Sequence, residues 1–192
     1  MTKKAVYLLV VFLWVSVLRV SAFEGKRKGF ILGVGAGIGT TSYSWKLTHK
    51  FTPIVQSESR TKLAIMYDFK IGYAPNNHWE IFIVDKEAYF GNARQINGIL
   101  ALAFTKTKRE EAPTTYFTGG FGFPYGFNIS SYNWRISSWS KRDYAFGLYG
   151  GYGYEFRPHI SLEAALLYGH ATNYGYRYRN LSIILTINAL DY

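Results

Sequence analysis

Thr61-Lys62-Leu63-Ala64-Ile65-Met66-Tyr67-Asp68-Phe69-Lys70-Ile71-Gly72-Tyr73 alternates without a break. In an extended chain Leu63, Ile65, Tyr67, Phe69, Ile71 and Tyr73 share one face, and Lys62, Ala64, Met66, Asp68, Lys70 and Gly72 share the other. A period of two marks a strand whose faces meet different surroundings. In a soluble sandwich the apolar face would be the core face. The remaining candidate strands repeat the pattern with small or polar partners, too little apolar material for two interior faces. An inside-out barrel, apolar outside and polar or glycine-lined inside, fits the pattern.

Working outward, seven more segments share this alternation. Gly29–Tyr43 places Phe30, Leu32, Val34, Ala36 and Ile38 outward and Gly33, Gly35, Gly37 and Gly39 inward, where a narrow lumen needs room. The GxGxG run also suits a dinucleotide loop, but no helix or βαβ unit follows it. Trp79–Val84 comes after the polar turn Ala74–His78. Folding about that turn sets Tyr73 opposite Trp79, Ile71 opposite Ile81 and Phe69 opposite Ile83, all of outward parity. Ile96–Lys106, Thr114–Phe123, Tyr144–Phe156, a strand from Ile160 to Tyr168, and Leu181–Leu190 complete eight. The turn at Arg157-Pro158-His159 pairs Phe156 with Ile160 and Tyr154 with Leu162. The expected long connections are Ser44–Arg60, Asp85–Gln95, Pro124–Asp143 and Gly169–Asn180. Short turns and both chain ends fall on the opposite side, the periplasmic one in a barrel of this kind.

Lys3 and Lys4 precede an uncharged run, Ala5 to Leu18, and Val20-Ser21-Ala22 supplies small residues for cleavage. This is the order of a secretory leader over 1–22, with a barrel domain over 23–192. The apolar run is shorter than the about 20 residues a spanning helix requires. The chain has 22 basic and 12 acidic side chains and no cysteine. Disulfides and thiolate metal sites are thereby excluded. Loss of the leader removes Lys3, Lys4 and Arg19 and no acid, so the excess stays basic. For an exported chain such an excess points to membrane phosphates rather than nucleic acid.

The chain resembles the outer-membrane β-barrel domain proteins, the small OmpA/OmpX-type barrels. The carriers are Gly29-Phe30-Ile31-Leu32-Gly33-Val34-Gly35, Phe69-Lys70-Ile71-Gly72-Tyr73-Ala74-Pro75 and Gly150-Gly151-Tyr152-Gly153-Tyr154-Glu155-Phe156. The segment Leu181 to Tyr192 is similar to the closing strand by which such barrels are recognised for assembly. Tyr192 departs from it, having inward parity unless a bulge or a flared end intervenes. The resemblance implies an eight-stranded antiparallel transmembrane β-barrel in the outer membrane, handled by the barrel-assembly machinery, and a monomer.

The inward set contains Lys62, Asp68, Lys70, Glu80, Tyr149, Glu155 and Glu163. Lys70 and Glu80 are placed diagonally for an ion pair, whereas Glu155 and Glu163 should repel unless a cation or proton intervenes. A self-satisfying polar plug is the expectation, with a proton or ion path as the alternative. His159-Ile160-Ser161 has the His-x-Ser spacing of PagL-type lipid A deacylases, with Glu163 the nearest carboxylate. Leu162 stands where that family has Asn, Glu163 is closer to the Ser than the family's acid, and Ser161 points inward. The expectation is therefore a non-enzymatic barrel without cofactor. His49, His78, His159 and His170 show no metal-ligand spacing.

Basic residues collect in the expected long connections: Lys46, Lys50 and Arg60 in the first, Arg135, Lys141 and Arg142 in the third, and Arg177 and Arg179 in the fourth. Trp45, Tyr132, Trp134, Trp139, Tyr174, Tyr176 and Tyr178 accompany them, as an interfacial aromatic belt would. The expected partner of this rim is lipopolysaccharide, through its phosphates.

Overall fold

The computed structural model describes residues 27–48, 55–90, 95–128, 144–173 and 176–191. The leader expected over 1–22 and the stretch that holds Tyr132, Trp134, Arg135, Trp139, Lys141 and Arg142 lie outside the described residues, as do Lys50, Tyr174 and Tyr192. Eight strands form one closed antiparallel barrel: β1 Gly29–Thr48, β2 Val55–Ala74, β3 Trp79–Phe90, β4 Gln95–Thr107, β5 Thr114–Asn128, β6 Tyr144–Arg157, β7 Ile160–Asn173 and β8 Tyr176–Asp191. β8 returns to pair with β1, so no strand is left as an edge of the closed sheet. Both the start of β1 and the end of β8 lie at the end that carries the three short turns.

Parity along the strands matches the sequence reading. Leu63 is 81% exposed and its neighbour-but-two Met66 is 0% exposed. Phe30, Ile38, Phe69, Ile83, Phe121, Leu148, Leu166 and Ile183 likewise stand out from the wall. An apolar surface this continuous belongs in hydrocarbon, and the fold is a transmembrane barrel.

Following cross-strand partners once around the sheet from Phe30 passes Tyr73, Ile81, Phe104, Gly119, Gly150, Leu166 and Ile183 and returns to β1 at Thr40. That stagger of about ten residues over eight strands sets a strand tilt of roughly 40°. Each residue then adds about 2.5 Å of height. On this scale the outward apolar band, from Phe30, Tyr73 and Trp79 up to Leu63, Phe146 and Leu181, is about 25 Å tall, as hydrocarbon requires.

The strands are longer than alternation alone indicated. β1 and β2 continue past Tyr43 and before Thr61, so Lys46 and Arg60 are strand residues rather than loop residues. β3 runs on to Phe90, β5 through Pro124 to Asn128, and β8 starts at Tyr176, which brings Arg177 and Arg179 into the sheet. Above the apolar band the outward positions turn polar, and the apolar-outside alternation fades although the hydrogen-bond ladder continues. Among the described residues β2 meets β3 only from Ile65 to Tyr73, while its upper half, Val55 to Ala64, is paired with β1. The two strands thus rise as a ribbon above that junction.

Register also differs at two turns. Tyr73 faces Ile81, Ile71 faces Ile83 and Phe69 faces Asp85, a shift of two residues that preserves parity. Tyr154 faces Leu162 as expected, but Arg157 rather than Phe156 meets Ile160 because the ladder slips between Glu155 and Arg157. The inward glycines act in two ways. A Cβ on Gly35 would overlap the Asp68 carboxylate and the Asn188 amide, so Gly35 yields space to side chains. At Gly37, Gly72 and Gly122 it would instead strike a carbonyl of the neighbouring strand, so these positions let the wall bend sharply.

The lipid-facing assignment predicts that Ile65→Arg and Leu148→Arg each cost about 2–4 kcal/mol. Urea titration of protein folded into lipid vesicles reads this directly. Stability equal to that of the parent would reverse the assignment of faces.

Candidate functional site

Two groups of charged side chains stand out, one inside the barrel and one on its outer wall. Inside, Lys86 Nζ lies 2.7 Å from Asp68 Oδ2 and 2.8 Å from Glu163 Oε1, and Lys70 Nζ lies 3.1 Å from Glu163 Oε2. All four side chains are almost fully buried. Two cations meet two anions, so the cluster is neutral. Its spare hydrogen-bonding capacity is used as well. Tyr116 Oη donates to Glu163 at 3.2 Å and lies 3.0 Å from Ser161 Oγ. The Asn188 amide, oriented to donate, is 2.8 and 3.0 Å from the Asp68 oxygens. Lys86 also lies over the Tyr149 ring and Lys70 over the Phe82 ring.

Lys70 therefore pairs with Glu163, not with Glu80 as the diagonal rule suggested. Two more residues resolve the expected repulsion between Glu155 and Glu163. Arg27, just upstream of β1, pairs with Glu155 and donates to the carbonyls of Arg109 at 2.6 Å and Glu110 at 3.0 Å. Lys86 supplies the second cation to Glu163. Neither was among the residues singled out from the sequence. Parity could have found both: Arg27 shares the odd, inward parity of Ile31 and Gly33, and Lys86 continues the series Glu80, Phe82, Val84. Glu80 is buried in the same region. Lys62 lies higher, 5.8 Å from the Phe90 ring.

The interior is not polar throughout. Towards the long-connection end it is packed by Tyr43, Met66, Val84, Phe90, Ile99, Leu167, Tyr178 and Ile184. Around Arg27, Lys70, Glu80, Tyr116 and Glu155 a gap of about 10 Å³ remains, room for about one water. Side chains fill this barrel, as the strand number allows.

On the outer wall, Arg177 of β8 is directly opposite Lys46 of β1, and Arg179 lies between Ser44 of β1 and His170 of β7. Lys46, Arg177 and Arg179 are exposed and have the outward parity of Ile38, Leu181 and Ile183. They stand immediately above the apolar band. Among the described residues no acid forms an ion pair with any of the three. Arg60 does not join them: it has inward parity and pairs with Glu58. A second unexpected feature of the wall is acidic. Asp85 and Glu87, once assigned to a loop, are outward residues of β3 beside Leu100 and Gly98. Tyr125 reaches over Gly98 to donate to both, and Tyr89 donates to Glu87. These phenols satisfy carboxylates that lie within the apolar band.

The His-x-Ser segment does not form a lipid-facing nucleophile. Ser161 is fully buried against Tyr116, and the Glu163 carboxylate is engaged by two lysines. His159 sits in the β6–β7 turn at φ 72°, its Nδ1 3.0 Å from the Leu190 carbonyl oxygen. Among the described residues no group of three or more His, Asp or Glu is arranged to hold a metal.

The fold is that of the small eight-stranded outer-membrane barrels. Neisserial surface protein A superposes with a TM-score of 0.50 and 10% identity, covering 84% of this chain and 97% of that one. OprG of Pseudomonas aeruginosa gives 0.47 and 12% over 88% and 99%. The attachment invasion locus protein Ail of Yersinia pestis gives 0.41 and 12% over 84% and 99%. At such identities the likeness is one of fold. No family model and no curated protein matches the sequence.

Lys86→Met is expected to be the most damaging single change in the lumen, because it strands the buried Asp68 carboxylate and leaves Glu163 with Lys70 alone. Removing one partner of a buried pair costs about 3–5 kcal/mol, and the double change Asp68→Asn/Lys86→Met, which leaves Lys70 and Glu163 as a neutral pair, should recover part of it. Urea midpoints of the two variants test the network. A single variant as stable as the parent would mean that Lys86 neutralises nothing.

Proposed function

We propose that this chain is an integral outer-membrane protein with a structural and surface-interaction role, and that its outer-wall cations bind the phosphates of lipopolysaccharide. The observation that carries the reading is the register pair Arg177–Lys46, with Arg179 beside it and, among the described residues, no acid in an ion pair with them. Like charges directly opposite on a sheet are destabilising. Such an arrangement is favourable when an anion sits between them. Their height, just above the hydrocarbon, is where the phosphates of an outer-leaflet glycolipid lie, and guanidinium forks bind phosphate through paired, charge-assisted bonds. The filled lumen favours this role over that of a solute channel.

Lys50, Arg135, Trp139, Lys141 and Arg142 would extend the same surface from outside the described residues. In this reading residues 1–22 are a cleaved leader, the short turns and both chain ends face the periplasm, and Leu181 to Tyr192 is what the assembly machinery recognises. The barrel needs no cofactor or second subunit.

Orientation is tested by protease added to intact cells. Cuts are expected in the long connections, and none at 108–113; cleavage there would invert the topology. Phosphate binding is tested by retention of lipopolysaccharide on folded protein across a salt series. Lys46→Gln/Arg177→Gln/Arg179→Gln should lower retention at least tenfold at low salt. Parent binding should weaken as salt rises, because exposed charges are screened. Equal retention by parent and variant at every salt level would sink the reading.

A further inference from the structure

The cations stand over a groove in the outer wall. It has a volume of about 790 Å³ and is lined by Ile38, Thr40, Leu63, Ala164, Ile183 and Leu185, among others. Ile38, Leu63 and Ile183 form its raised sides, being more than half exposed. Thr40 and Ala164 are the small residues that leave it hollow. Along β8, Arg179 is four residues above Ile183, about 13 Å at the strand rise. The groove therefore occupies the upper part of the apolar band, directly beneath the three cations and on the same strands.

A third feature lies between the two. Ser42 Oγ and Thr61 Oγ1 are 2.7 Å apart on the outward face and exposed. From top to bottom the wall thus presents cations, hydroxyls and an apolar trough. That is the order of groups in a phosphorylated glycolipid: phosphate, sugar or amide linkage, acyl chain.

Resting on the phosphate reading above, we propose that this wall is a built seat for one lipid A-type molecule, with phosphates on Lys46, Arg177 and Arg179 and one acyl chain in the groove. Three cations without an ion-pair partner among the described residues match a lipid with more than one phosphate. The single diester charge of an ordinary phospholipid would leave most of them unmatched. Head and chain are covalently linked, so each raises the effective concentration of the other at its own subsite. The seat is consequently selective for a ligand that carries both.

The test uses the mature chain folded in detergent and three ligands: hexa-acylated bisphosphorylated lipid A, its fully deacylated bisphosphorylated disaccharide, and phosphatidylglycerol. Thr40→Phe and Ala164→Phe, singly and together, fill the groove. Both positions face lipid, so folding should survive, and heat-modifiable electrophoretic mobility verifies it. Leu102→Phe, on the opposite wall, serves as the control. Filling should cut lipid A affinity about tenfold and lower the ratio of lipid A to disaccharide affinity, whereas Arg177→Gln/Arg179→Gln should weaken both ligands and keep that ratio. A ratio unmoved by filling would overturn the acyl seat while leaving the phosphate reading intact. Parent-like binding of both ligands by the arginine variant would remove the phosphate reading itself. Displacement of lipid A by equimolar phosphatidylglycerol would show a generic lipid contact and would also overturn the proposal.

Discussion

Backbone amides and carbonyls inside hydrocarbon have no water to bond, so each must find its partner on a neighbouring strand. The other features of this molecule follow from meeting that demand with eight strands. Eight strands close only if they tilt and stagger, and here the stagger carries Phe30 round to Thr40. The closed wall is so narrow that neighbouring backbones crowd at Gly37, Gly72 and Gly122, where no side chain fits. The same narrowness brings Lys86 of β3 within bonding distance of Glu163 of β7, across the lumen. Closure, glycine placement and the buried charge cluster are three expressions of one geometric requirement.

The charge cluster also shows why a polar interior need not be a passage. Lys70, Lys86, Asp68 and Glu163 cancel in charge, and Tyr116 and Asn188 occupy oxygens that would otherwise seek water. Above them the lumen is closed by Met66, Val84, Ile99 and Leu167. Buried ion pairs contribute little net stability because their desolvation is costly. Here they tie β2 and β3 to β7 across the lumen. On the outside of the wall, by contrast, Arg177 and Lys46 form no ion pair among the described residues.

How much of this was legible in the sequence depended on where each residue sits relative to the hydrocarbon. Within the band, alternation reports the two faces, and Leu63 to Tyr73 announced both the strand and its outward side. Above the band that contrast disappears. Lys46, Arg60, Arg177 and Arg179 therefore read as loop residues although they are in strands, and the side-by-side placement of Arg177 and Lys46 stayed hidden. Lys86 was missed for a related reason. Asp85 and Glu87 break the apolar outward series, and the phenols of Tyr125 and Tyr89, distant in sequence or pointing back along β3, bond those acids. Arg27 lies upstream of the first alternating residue and finds its partner, Glu155, more than a hundred residues away. The two-residue shift of β3 came from the turn, whose length parity does not determine.

The ribbon formed by the upper halves of β1 and β2 has a consequence for behaviour between molecules. Among the described residues, the far side of β2 above Ile65 meets no neighbouring strand. Such an edge is a template on which a strand of another chain can add and begin uncontrolled sheet growth. Glu58, Arg60 and Lys62 follow one another at alternate positions along this stretch. Charge placed on a free edge is the device by which sheets resist edge-to-edge aggregation. Those charges would hinder a strand of another chain from adding to the ribbon.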